Sequence, residues 1–336
     1  MAESLYRGIQ LGKETTFGTE VDATTIFPTD EGSGEFTLDR ATEIPTEDFG
    51  TQVAHLGGRA STGVRIATAS ISAQARFEDL GQVLRYMYAA PVYTGVGPYT
   101  QTYTAGTTTT THESATYEVN NDTQDMIATG VVATSVDLGY DEIGPGENTM
   151  WTVSADLQAA NLVKGTATAA LAIPSVLETI EGHLTTLNQG TVATAFGSLA
   201  ALSAHLVSYR IRGEQEKPLR PYGSATDVAS AIGLRKRVCS VTAMLKFSAT
   251  TVSDIWDIFT VAGSLPTERR WRITATGSGT KTLIIDHRLL FQDVHLEPDG
   301  RDGEYLVSVD ALATYDSTLA TDVVFAIAGV ANATLP

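Results

Sequence analysis

The chain holds one cysteine, six lysines and no apolar stretch approaching twenty residues. A single thiol, Cys239, excludes an internal disulfide and any metal site built from several cysteines. It falls on the apolar face of an alternating run, where a free thiol acts as a small buried hydrophobe. The missing apolar stretch excludes a spanning helix of ordinary length, and 43% hydrophobic residues imply a globular chain. The opening MAESLYRGIQ lacks a basic segment followed by an apolar one, so export by the general secretory route is not expected. Base is scarce as well. With 39 acidic and 22 basic residues the net charge is −17, which argues against a surface made to grip phosphates. The two short basic clusters, Arg235–Lys236–Arg237 and Arg269–Arg270–Trp271–Arg272, read as salt-bridge partners between subunits.

Catalytic signatures are missing too. The six histidines (His55, His112, His183, His205, His287, His295) show no ligand spacing. Asp286 and His287 are neighbours in a strand and face opposite sides, so the acid cannot orient the imidazole. Asp293 and His295 share a face, but no Gly-x-Ser-x-Gly turn supplies a nucleophile. Gly277–Thr282 lacks the glycine a phosphate loop needs before Lys281 and precedes a strand, so it reads as a hairpin turn. Asp299–Glu304 misses the oxygen-ligand register of a calcium loop and reads as a tight Asp-Gly hairpin. The expectation is a chain with no enzymatic activity, cofactor or metal.

What is present is a repeated layout. Ala67, Ala69, Ile71, Ala73 and Ala75 alternate with small or polar residues, and in the second half the alternation returns as Cys239, Val241, Ala243, Leu245 and Phe247. Period two marks half-buried strands. Each run leads into helical i, i+3, i+4, i+7 spacing: Phe77, Leu80, Leu84, Met87 in one copy and Val252, Ile255, Trp256, Phe259 in the other. Pro91 and Gly263 stop these helices, and Thr251-x-x-Asp254 fits a capping box. Each helix has one apolar face to lay over a barrel. Glu147, Val153, Ser154 and Asp156 are echoed in the same order by Glu304, Val307, Ser308 and Asp310.

The expected organisation is mainly β with minor α: two tandem β-barrels or sandwiches, each flanked by a short helix. Residues 1–31 form an extended arm and 32–160 the first barrel, with a strand at 33–40 that points Phe36 and Leu38 to one side. Residues 92–116 make an exposed excursion or long hairpin. Residues 161–200 are a linker whose structure the pattern leaves open, and 201–336 are the second barrel, ending in an apolar strand at 321–329. The aperiodic spans 41–63 and 213–234 read as functional or partner-ordered loops.

The segment Gly12-Lys13-Glu14-Thr15-Thr16-Phe17-Gly18-Thr19 resembles the start of tail tube (major tail) proteins of long-tailed viruses, which carry a G-x-E-x-x-[FY]-G-T pattern. The order of elements over 33–90, 140–157 and 203–313 extends the resemblance. It implies barrels assembled into rings that stack as a hollow conduit for viral DNA. With two barrels per chain, three chains make a pseudo-sixfold ring. Partners so implied are further copies of the chain, tape measure, tail terminator and baseplate or tail-tip proteins, with DNA passing through and no membrane. The location is the virion tail, assembled in the host cytoplasm. Other tail, baseplate or neck proteins, and the tube proteins of contractile injection or secretion systems, are the alternatives. A conduit that must not grip its cargo needs acid on its lumen wall, with Asp137, Asp141, Glu142, Asp293 and Glu297 as candidates. Ring stacking falls to the long loops and the arm, through Glu47, Asp48 and Phe49 in one loop and Pro218, Leu219, Arg220 and Tyr222 in the other.

Overall fold

A computed structural model of the protein describes residues 8–30, 33–43, 61–104, 113–120, 124–141, 149–169, 171, 177–202, 206–220, 228–229, 231–251, 255–256, 268–277, 279–297 and 305–330. It is mainly β, with one full helix among the described residues. In chain order the first half contains β1 (Gly8–Lys13), β2 (Thr25–Phe27), β3 (Thr37–Glu43), β4 (Ser61–Gln74), α1 (Phe77–Met87), β5 (Val92–Thr94), β6 (Tyr99–Thr104), β7 (Ala115–Asn120), β8 (Met126–Tyr140), β9 (Thr152–Ala159) and β10 (Asn161–Lys164). The second half contains β11 (Thr185–Thr191), β12 (Ala200–Ala201), β13 (Leu206–Gln215), β14 (Leu219–Arg220), β15 (Ala231–Ile232), β16 (Arg237–Lys246), the helical turn α2 (Ala249–Thr251), β17 (Glu268–Thr276), β18 (Thr282–Glu297), β19 (Leu306–Thr314) and β20 (Val323–Val330).

The two halves pair their strands by the same scheme. In the first, β2 pairs β1, β1 pairs β7, and β7 and β10 flank the start of β8. The rest of β8 pairs β9, which pairs β4, which pairs β3. In the second, β12, β11, β17, β20, β18, β19, β16 and β13 take those places in turn. Register is repeated too. Ile71 lies opposite Ala155, and Ala243 lies opposite Val309. Ala243 stands to Ile71 as Cys239 stands to Ala67, and Val309 to Ala155 as Val307 to Val153, so the ladder keeps the alignment seen in the sequence. Even a bulge recurs: β8 skips Thr134 against β9, and β18 skips Gln292 against β19. A bulge costs a ladder position and bends the strand, so its return at the same place marks a duplicated unit.

Several segments differ in detail from their sequence reading. The arm supplies sheet strands, with Ile9, Leu11 and Phe27 buried. The repeated scheme reaches back to Thr185, inside the segment read as a linker. Within the 92–116 span the described residues form a hairpin, β5–β6, whose tip at 94–98 is exposed. β6 pairs the C-terminal strand β20 and buries Gln101 and Tyr103. The Glu14-x-x-Phe17-Gly18 stretch also acquires a job. The buried Glu14 carboxylate accepts from Gly18 N and Gly130 N, both at 2.8 Å, and from Ser114 Oγ at 2.6 Å. Gly130 has φ +66° where β8 passes from its β7 and β10 partners to β9, and a Cβ there would crowd Phe17 and Ala160. The loops are shorter than read, since β3 runs to Glu43, β4 starts at Ser61, and β14 pairs β15 within 213–234.

A single apolar cluster draws on both halves. Through it runs an aromatic chain, Tyr140–Trp151–Tyr209–His287–Trp271–Phe291, with centroids 5.5 to 6.3 Å apart. Helix α1 was expected to bury one face, but ten of its eleven residues are buried. It lies among β8, β6 and β20, and Lys217 from the second half donates to Tyr86 O and Met87 O at its C-terminus, both at 2.9 Å. In the second copy Ser248 and Thr251 form a reciprocal cap: Ser248 N donates to Thr251 Oγ1 at 2.7 Å and Thr251 N to Ser248 Oγ at 3.2 Å. Asp254 lies outside the described residues.

All-round burial of α1 has an ionisation cost at Asp79. Burial pushes its carboxyl up to about 6, against a smaller lowering by Arg76, and one carboxylate oxygen makes no hydrogen bond. A raised acid favours folding below its ordinary range and withdraws that support as pH rises through about 6. Asp79→Asn should therefore stabilise the protein by about 1–2 kcal/mol at pH 7.5 and by nothing at pH 4. Urea unfolding at the two pH values checks this.

Candidate functional site

The duplicated units join edge to edge. Beyond its bulge, β8 carries β9 on one side and β13 on the other, with Leu138 opposite Ile211 and Val136 opposite Gly213. The result is a run of eight antiparallel strands within the larger sheet, in the order β3–β4–β9–β8–β13–β16–β19–β18. The seam is close. A Cβ on Gly139 would sit 2.6 Å from Arg210 Cα and collide with Tyr209 O. An ion pair spans it, Arg210 Nη1 to Asp137 at 2.8 Å and Nη2 to Asp141 at 3.0 Å.

This run ends at two open borders. Among the described residues β3 pairs only β4, and residues 291–297 of β18 pair only β19. Apolar side chains stand at both. Leu38 is 43% exposed, and Phe36 and Leu296 are half-buried. An unpaired row of N–H and C=O groups beside exposed apolar side chains is a template for another strand.

One face of the sheet packs on the core through Ala69, Ile71, Val153, Ala155, Ile211, Val241, Ala243 and Val309. Alternation places Ser, Thr and charged residues on the other. That polar face carries Glu35, Asp39, Asp137, Asp156, Glu214, Asp293, Glu297 and Asp310 against Arg210, Arg212, Lys246 and Arg288. Three of the five candidate lumen acids, Asp137, Asp293 and Glu297, thus share one surface. Asp141 follows β8 and its carboxylate is largely exposed. Glu142 lies outside the described residues, as do Glu47, Asp48, Phe49 and Tyr222. Pro218, Leu219 and Arg220 sit at the small β14–β15 hairpin, with Arg220 exposed. Asp156 accepts from Ser135 Oγ at 2.6 Å and Ser70 Oγ at 2.7 Å, which holds its carboxyl below the usual range.

The remaining ionisable groups of interest are structural. Asp286 pairs Arg272 at 2.6 Å, while its neighbour His287 is fully buried 3.4 Å from Tyr209 Oη and pushed down to about 3. Burial also pushes the Cys239 thiol up and Lys217 down to about 7. His295 lies between Asp293, 3.4 Å away, and Glu297, 2.9 Å away. Four members of the basic clusters find acids within the chain: Arg270 with Asp316, Arg237 with Asp322, Arg235 with Glu216 and Arg272 with Asp286. Among the described residues no group of His, Cys, Asp and Glu has the geometry to hold a metal ion, and no helix is long and apolar enough to cross a membrane. Sequence reasoning did not single out β3 and the end of β18 as the borders, although the period-two pair Phe36 and Leu38 was visible. No protein-family model matches this chain, and no curated protein matches it.

Closeness at the seam is testable. Gly139→Val should cost at least about 2 kcal/mol in urea unfolding, because backbone blocks the new side chain. Arg210→Ala, which removes a part-exposed ion pair, should cost no more than about 1 kcal/mol.

Proposed function

We propose that this chain is a structural subunit that joins copies of itself into rings, and that these stack into the tail tube of a long-tailed virus. The observation that carries the proposal is the eight-stranded run of sheet, which crosses both repeats and stops at two open borders. Such a sheet is completed by closing around an axis, and head-to-tail contacts of this kind make rings when the rotation closes. The duplicated unit supports three chains per ring with pseudo-sixfold symmetry.

The polar sheet face supplies the conduit wall in this reading. Its carboxylates outnumber its Lys and Arg two to one. Phosphate–carboxylate repulsion then keeps a passing duplex off the wall instead of binding it. Asp137, Asp293 and Glu297 belong to that wall. The spans around Glu47–Phe49 and Pro218–Tyr222 make the ring-to-ring contacts. Tape measure, terminator and baseplate or tip proteins are the further partners, and the virion tail is the location.

Negative-stain images of the purified protein test the assignment directly: rings and open-ended tubes are expected, and a chain that stays monomeric at every concentration refutes it. Deleting residues 44–52 should leave thermal unfolding unchanged while abolishing tubes and sparing rings. Normal tubes from that deletion would remove the loop from the stacking contact.

A further inference from the structure

The seam inside the chain is a template for the seam between chains. Repeat equivalence assigns each border strand a counterpart that is already paired. In the β3–β4 ladder Leu38 lies opposite Ala67, and in the β13–β16 ladder Gly213 lies opposite Cys239. Since Ala67 and Cys239 are equivalent, β3 corresponds to β13, with Leu38 matching Gly213. In the β8–β9 ladder Val136 lies opposite Ala155, and in the β18–β19 ladder Val294 lies opposite Val309. Since Ala155 and Val309 are equivalent, β8 corresponds to β18, with Val136 matching Val294. The open strand β3 is therefore the counterpart of β13, and the open end of β18 is the counterpart of the β8 segment that β13 occupies.

Resting on the reading of the chain as a ring-forming subunit, we infer that β3 of one copy pairs antiparallel with residues 293–297 of β18 of the next. Transferring the β8–β13 register fixes the partners. Ile211 opposite Leu138 becomes Phe36 opposite Leu296, Gly213 opposite Val136 becomes Leu38 opposite Val294, and Arg212 opposite Asp137 becomes Thr37 opposite His295. The apolar positions match. Phe36, Leu38, Val294 and Leu296 all lie on the core side of the sheet, and the half-exposed members lose that exposure on joining. The same register sets Glu35 against Glu297 and Asp39 against Asp293, with His295 between the acids. These like-charge pairs lie on the solvent face, where salt screens them, so burial of the apolar row prevails.

Engineered cysteines read the register, because directly opposed positions of an antiparallel ladder lie within disulfide reach. The native Cys239 is buried and gives no background. Oxidising the assembled Leu38→Cys/Val294→Cys protein should give a ladder of chain-linked species on a denaturing, non-reducing gel. Phe36→Cys/Leu296→Cys should do the same, which covers the failure of either variant to fold. Thr37→Cys/Val294→Cys, slipped by one residue onto opposite faces, should give none. Rings or tubes in micrographs without a ladder from either matched pair would overturn the seam and leave the tube reading standing. A ladder of equal strength from the slipped pair would overturn the register. Monomers throughout would take the seam and the tube reading down together.

Discussion

Backbone pairing between β8 and β13 is the constraint on which the rest of the molecule depends. It turns two copies of one unit into a single sheet and fixes where that sheet must end. Antiparallel pairing demands close approach, and the chain meets the demand with Gly139, whose missing side chain admits the backbone of Tyr209 and Arg210. The same approach sets Tyr140, Trp151 and Tyr209 in contact across the two halves. Lys217 then ties the second half to the end of α1. The Trp151–Tyr209 contact and the Lys217 bonds cross between repeats, so neither half reproduces the environment of the other alone.

Duplication accounts for regularity in the scheme, and the departures from it are where the copies take different roles. The hairpin β5–β6 has no counterpart among the described residues of the second half, and β6 covers the border of β20. A sheet border so covered is removed from competition for other chains. Among the described residues, only β3 and the end of β18 remain as borders of the eight-stranded run. Selective covering of this kind limits where another strand can add to the sheet.

The strands legible in the sequence were those whose inward residues are apolar, as at Ala67–Ala75, Cys239–Leu245 and Trp151–Leu157. Period two is a local property, and burial of an apolar face enforces it. The strands that escaped notice bury polar side chains instead. β11 turns Thr185, Leu187 and Gln189 inward, where Trp151 Nε1 donates to Thr185 Oγ1 at 3.0 Å and Trp271 Nε1 to Gln189 Oε1 at 3.2 Å. β6 buries Gln101, which accepts from Tyr103 Oη at 2.8 Å. β1 and the residue after it place Gln10 and Glu14 among buried groups. For Thr185 and Gln189 the hydrogen bond comes from a distant strand, so no window of sequence contains the partner that makes them tolerable inside. The same limit applied to the basic clusters, whose acids Asp316 and Asp322 are distant in the chain. Of the acids on the polar face, Asp137, Asp293 and Glu297 were singled out from the sequence, while Glu35, Asp39, Asp156, Glu214 and Asp310 were not. The open borders were not, since only the complete pairing scheme reveals which strands lack a second neighbour.

The acid bias of the chain acquires a location through this sheet. Net charge by itself is compatible with acids scattered over any surface, where they serve solubility. Here the alternation that buries Ala69, Ile71 and Val153 forces the intervening Asp, Glu, Ser and Thr onto one continuous face. On that face Asp156 is held ionised by two serine hydroxyls, and Arg210 is consumed by Asp137 and Asp141. A guanidinium already shared between two carboxylates has little left to offer a phosphate. The face is therefore poorer in usable positive charge than its composition suggests, which is the property a wall needs if a polyanion is to slide past it.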